Sequence, residues 1–129
     1  MIIVLDSNEY INFLNKRTSL GRIFETNLVT IHANELIAKE VLRNVSEEAK
    51  KEFYALLMKD NVALHSEKLP MRLLKKYRER GLKKGDIEIA AFCENISASY
   101  LVSENRHFLE ENKFDEFNVI TLQELFKLL

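Results

Sequence analysis

The sequence has little of what most non-globular or secreted chains depend on. It contains one cysteine in 129 residues, so no internal disulfide can form, and Cys93 lies within Ile89-Ala90-Ala91-Phe92-Cys93, a core-like stretch. A reducing cytoplasm is the expected compartment. Three glycines and one proline leave almost no material for flexible linkers. No apolar run exceeds six residues, and Met1 to Leu5 and Ile89 to Cys93 are five residues long, whereas a membrane-spanning helix needs about 20. Nor does a basic segment precede Ile2-Ile3-Val4-Leu5 to make a signal peptide, so neither a leader nor a membrane span is expected. What is present is 47% hydrophobic and 30% charged residues, enough for one substantial core and one domain over residues 1–129.

A net charge of −1 hides an uneven distribution. Residues 68–84 carry eight basic side chains against Glu79 alone, a block of +7, while residues 85–118 carry two basic against eight acidic, a block of −6. A cationic surface beside an anionic pocket would suit a phosphate chain held against carboxylate-bound metal. Alternatively, Lys75, Lys76, Arg78 and Arg80 are the solvated face of a helix that packs Leu69, Leu73 and Tyr77 inward.

Short apolar runs alternate with longer segments of helical period, the pattern of an α/β domain with a mainly parallel sheet. Strands are expected at Ile2–Leu5, Leu28–Ile31, Val62–Leu64, Tyr100–Val102 and Asn118–Ile120. Helices are expected at Asn8–Asn15, Asn34–Val45, Glu47–Lys59, Leu69–Arg80 and Asp86–Ile96, with Thr121 and Glu124 forming a capping box for a last helix.

The chemistry is suggested by acids in apolar places. Asp6 directly follows an all-apolar strand, and in open α/β sheets ligands bind beyond the carboxyl ends of strands; the same Asp6 or Ser7 also reads as an ordinary helix N-cap. Glu40 falls between Leu36 and Ile37 on a helical wheel, so its carboxylate needs a cation, a basic partner or the rim of a pocket. Asp86 shares a stripe with Ala90 and Cys93, with Glu94 beside it as an auxiliary acid, although Gly85-Asp86 at a helix start also fits a cap. Clustered carboxylates raise one another's pKa or need a hard cation, and Mg²⁺ or Mn²⁺ prefers oxygen ligands and bridges to phosphate. Metal-assisted attack of water on a phosphoryl centre is the chemistry this suggests. Zinc is not expected, since His32, His65 and His107 show no paired ligand spacing and one cysteine builds no thiolate site.

Four stretches together resemble the PIN-domain family of VapC-type toxin ribonucleases and related RNA-processing nucleases. They are Ile3-Val4-Leu5-Asp6-Ser7-Asn8, Asn34 to Leu42 with Glu40, Gly81 to Ala91 with Asp86-Ile87-Glu88-Ile89-Ala90-Ala91, and Leu101 to Phe108 at the exit of strand four. The resemblance spans residues 2 to about 121. It implies a three-layer α/β/α sandwich around a mainly parallel sheet of four or five strands, and an Mg²⁺- or Mn²⁺-dependent endoribonuclease. Asp6 and Asp86 would hold the metal, and Glu40 would bind it or polarise the attacking water. At the place of the family's fourth acid the resemblance puts Asn105, with Glu104 as the adjacent alternative; Asn105 would position water or the leaving oxygen. Ser7, Ser103, Arg106, Lys75 and Lys76 are the candidate contacts to RNA. Likeness to toxin-type members further implies an antitoxin partner and a homodimer. The rival reading is a non-catalytic PIN-like domain that binds RNA or protein, for which the missing fourth acid argues. A haloacid dehalogenase-type phosphatase needs a second Asp where this chain has Asn8, and a receiver domain needs paired acids near strand one and a late Lys that are not found.

Overall fold

The computed structural model of the chain describes residues 1–111 and 114–129. Five strands form one all-parallel sheet: β1 (Ile2–Leu5), β2 (Thr30–Asn34), β3 (Val62–His65), β4 (Tyr100–Val102) and β5 (Asn118–Ile120), in the order β3-β2-β1-β4-β5. Ile3, Val4 and Leu5 are fully buried, as expected of a central strand covered on both faces.

The chain moves from β1 through β2 to β3 in one direction, then crosses back to β4 on the other side of β1. With right-handed crossovers, this reversal places α1 (Ser7–Leu14), α2 (Gly21–Glu25), α3 (Glu35–Arg43) and α4 (Glu47–Leu57) on one face. It places α5 (Met71–Glu79) and α6 (Lys84–Asn95) on the other, giving a three-layer α/β/α sandwich. Helix α1 packs on α3 and α4, and α5 on α6. A π-helical turn, His107–Glu111, follows β4, and α7 (Leu122–Leu128) closes the chain. Among the described residues no helix is long and apolar enough to cross a membrane.

Three strands and the last helix start lie where the sequence places them. Thr121 and Glu124 form the expected reciprocal capping box, worth about 1 kcal/mol. Strand β2 is shifted: it begins at Thr30 and runs to Asn34, while Leu28 sits in a bend, 56% exposed. Asn34 is not helical but caps α3, accepting from Ile37 N at 3.0 Å. Helix α2 was not expected, because five residues carry too little periodicity to stand out. Helix α5 stops where Gly81 takes a left-handed φ of 88°, a conformation that costs glycine no side-chain clash. Helix α6 therefore starts two residues earlier than expected, with Lys83 as N-cap.

Candidate metal-dependent active site

The reversal of strand order lies between β1 and β4, and the crevice at the carboxyl ends of those two strands is where an open parallel sheet offers a ligand site. Leu5 pairs with Val102, and Asp6 N donates to Val102 O at 2.9 Å, so the residues leaving the two strands, Asp6 and Ser103, face each other. Ser103, fully buried, donates from Oγ to Asp6 Oδ2 at 2.9 Å. Asp6 Oδ1 accepts from Ser7 N at 2.8 Å. Asp6 is thus both the N-cap of α1 and part of the crevice.

The packing of α1 on α3 brings in the second acid. Ser7 Oγ donates to Glu40 Oε2 at 2.7 Å, so a chain of hydrogen-bonding groups runs from Ser103 through Asp6 and Ser7 to Glu40. The third acid arrives from the opposite layer. A Cβ placed on Gly85 would lie 4.0 Å from Glu40 Oε1, which puts the first turn of α6, and with it Asp86, beside the Glu40 carboxylate. Asp86 lies within that turn and not at the cap.

Burial raises the pKa of Asp6; the Ser103 and Ser7 hydrogen bonds partly offset this, and the charges of Glu40 and Asp86 add to it. Burial also raises Asp86, against the favourable influence of His107 and Lys83, with Glu40 again adding. In both acids burial outweighs the favourable contacts, and the neighbouring carboxylates add a smaller push in the same direction.

Asn105, at the place of a fourth acid, has its Oδ1 committed to His107 N at 2.9 Å, while its own N–H donates to Ser103 Oγ at 3.0 Å. Glu104 is exposed and accepts from Leu122 N at 3.1 Å, fixing the start of α7. Arg106 and Lys75 are exposed. Lys76 differs from the expectation of a free phosphate contact, because Glu94 at 2.6 Å and Glu116 at 2.7 Å already hold its ammonium. Glu94 likewise does not join the acid group as an auxiliary; it takes Lys76 and the Tyr77 hydroxyl at 2.8 Å.

The sequence reading missed two features. Glu9 is 2% exposed; its Oε1 is buried without a hydrogen-bond partner, and burial, then Glu104 and Asp6, push its pKa up to about 7. Its place beside Phe13 on the α1 wheel was the available signal. His32 and His65, 33 positions apart in the chain, meet across β2 and β3 with Nδ1 and Nε2 2.7 Å apart and rings stacked at 5.0 Å. Spacing along the chain cannot show a cross-strand pair.

Among the described residues, no three His, Cys, Asp or Glu side chains stand in a ready-made arrangement around one ion. The donor chemistry nevertheless fits a hard divalent cation: all the groups are carboxylates, burial raises Asp6 and Asp86, and the Glu9 Oε1 oxygen is buried with no hydrogen-bond donor among the described residues.

With this geometry in place, comparison with solved structures is informative. One chain of the crystal structure of VapBC2 from Rickettsia felis, bound to a DNA fragment from their promoter, superposes with a TM-score of 0.69 over 94% of this chain and 98% of that one. The fold is PIN-like. Identity over the match is 15%, so the likeness is one of architecture. No family model and no curated protein matches the sequence.

Proposed function

We propose that the protein is an Mg²⁺- or Mn²⁺-dependent endoribonuclease that hydrolyses RNA phosphodiester bonds. The observation that carries this reading is the approach of acids from β1, α3 and α6, two helical layers and the strand between them, at the reversal of strand order in a PIN-like sheet. Such an arrangement concentrates negative charge where only a cation makes it favourable.

Asp6 and Asp86 would hold the ion directly, and Glu40 would hold it or orient the attacking water. When bound, the ion would lower the water's pKa and neutralise charge on the displaced oxygen. Ser103 and Ser7 keep the Asp6 and Glu40 carboxylates from swinging away, through bonds of 2.9 and 2.7 Å. Asn105, its Oδ1 fixed by His107 N, has its amide N–H₂ left to position water or the leaving oxygen. Lys75 and Arg106, both exposed, are the proposed contacts to the RNA backbone; Ser7 and Ser103 are buried and spend their hydroxyls on Glu40 and Asp6, so they support the acids instead of touching RNA. In keeping with the VapBC2-like fold, we propose that the chain is the toxin of a toxin–antitoxin pair and works as a homodimer with an antitoxin partner.

Manganese-dependent cleavage of a mixed RNA substrate tests the reading. Cleavage by the native chain, reduced at least about 100-fold in Asp6→Asn and in Asp86→Asn, supports it. The rival, a PIN-like module that binds RNA or protein without cleaving, is favoured by Asn105 at the place of the fourth acid. RNA binding without metal-dependent cleavage of any RNA would establish that rival.

A further inference from the structure

We propose that Glu9, reaching in from α1, supplies the carboxylate that the exit of β4 lacks, and that it holds the divalent ion together with Asp6, Glu40 and Asp86. This rests on the metal-dependent reading above and specifies the ligand set.

Glu9 is the third residue of α1, after the N-cap Asp6. At that position a glutamate ordinarily folds back to accept from the N-cap backbone N–H. Here that N–H is already spent on the β1–β4 ladder, donating to Val102 O at 2.9 Å. The side chain has therefore lost its usual partner, and instead of turning to solvent it is 2% exposed. Oε1 is buried with no hydrogen-bond donor, and the charges that act on the carboxylate, Glu104 and Asp6, are both negative.

Leaving a carboxylate oxygen buried and unbonded costs several kcal/mol, so such a group is rarely kept without compensation. Elsewhere on this chain carboxylates are compensated, as where Arg80 and Lys76 meet Glu116. Among the described residues Glu9 has no cation partner of that kind. Both residues at the fourth-acid place are committed, Asn105 to His107 N and Glu104 to Leu122 N. Glu9, on α1, feels the charge of Asp6 and, among the described residues, has an oxygen with no donor, and a hard divalent ion takes such oxygens as ligands.

Isothermal titration of the intact chain with MnCl₂, in the absence of RNA, tests this. The native chain, Glu9→Gln, Glu9→Asp, Asp86→Asn and the exposed control Glu48→Gln are compared, each checked for native helicity and cooperative unfolding. The expected result is native affinity in Glu48→Gln and a loss of about tenfold or more in both Glu9→Gln and Asp86→Asn, with Glu9→Asp weakened less than Glu9→Gln. Native-like Mn²⁺ affinity in Glu9→Gln alongside loss in Asp86→Asn overturns the role of Glu9 and leaves the metal-dependent reading intact. If Glu9→Gln does not fold, Glu9→Asp decides: Mn²⁺ affinity weakened by the shortened carboxylate supports the role of Glu9, and native affinity overturns it. A native chain that binds no Mn²⁺ overturns both.

Discussion

Two groups of carboxylates on this chain live under opposite conditions. Glu94 and Glu116 sit where α5 and α6 meet the segment before β5, and each is met by cations: Lys76 reaches both, and Arg80 grips Glu116 through two nitrogens at 3.2 and 2.9 Å. The Arg80 bond, against partial burial and helped by Lys76, holds Glu116 down to about 2. Burial pushes Glu94 upward, but Lys76 and Tyr77 outweigh it and hold it below the usual range. At the end of β1, by contrast, Asp6, Glu9 and Asp86 are all pushed up chiefly by burial, with smaller additions from Glu40 and Asp86 at Asp6, from Glu104 and Asp6 at Glu9, and from Glu40 at Asp86. Charge pairing makes the first group part of the scaffold. In the second group burial is not offset in this way, and the acids stay above their ordinary values despite Lys83 and His107 near Asp86.

Breaking the second group has the largest expected effect. Asp86→Asn should lower Mn²⁺-dependent RNA cleavage at least about 100-fold while leaving chemical denaturation nearly unchanged, since one of the mutually repelling charges is removed. Ser103→Ala should be costly for the fold, because Ser103 Oγ serves Asp6 and Asn105 together. Urea unfolding should show a loss of about 2 kcal/mol.

Glu9→Gln separates the regions by pH. Folded Glu9 keeps its proton to about pH 7, whereas the unfolded chain releases it near the ordinary 4.5. Between these values the folded state binds more protons, so its contribution to stability falls as pH rises from 4.5 through 7. In metal-free buffer at pH 8 the substitution should raise stability by up to about 3 kcal/mol and flatten that slope. Glu116 runs the other way. Its folded value lies below its unfolded one, so its stabilisation is present above about pH 4.5 and is lost as pH falls through 2. Side chains that are 18% to 36% exposed screen the pairs, so Glu116→Gln should cost only about 1 kcal/mol at pH 7, a few degrees in thermal unfolding. The smallest effect divides two neighbouring lysines: Lys75→Ala should weaken RNA binding modestly and reduce its salt dependence by about one ion, whereas Lys76→Ala should instead lower stability.

Much of the frame was legible because it rests on local pattern. The apolar runs at β1, β4 and β5 and the Thr121-x-x-Glu124 spacing need no tertiary information. The acids Asp6, Glu40 and Asp86 stood out because each interrupts an apolar stripe. Lys76 was harder, since a block of +7 says nothing about Glu94 and Glu116, which lie 18 and 40 positions further along. The His32–His65 contact depends on strand register, which composition does not carry. Glu9 was masked by its own position: Asp-x-x-Glu is also how an ordinary helix begins, and only the diversion of the Asp6 N–H into the sheet shows that it is not doing that here.

The seam between β1 and β4 also sets when the acidic hollow can exist during synthesis. Residue 6 leaves the ribosome nearly a hundred positions ahead of its hydroxyl support at residue 103 and the strand that delivers it. Until that late strand docks, the hydroxyl that steadies Asp6 is missing. A growing chain with this topology therefore lacks the Ser103 support of its acid group until β4 has been made.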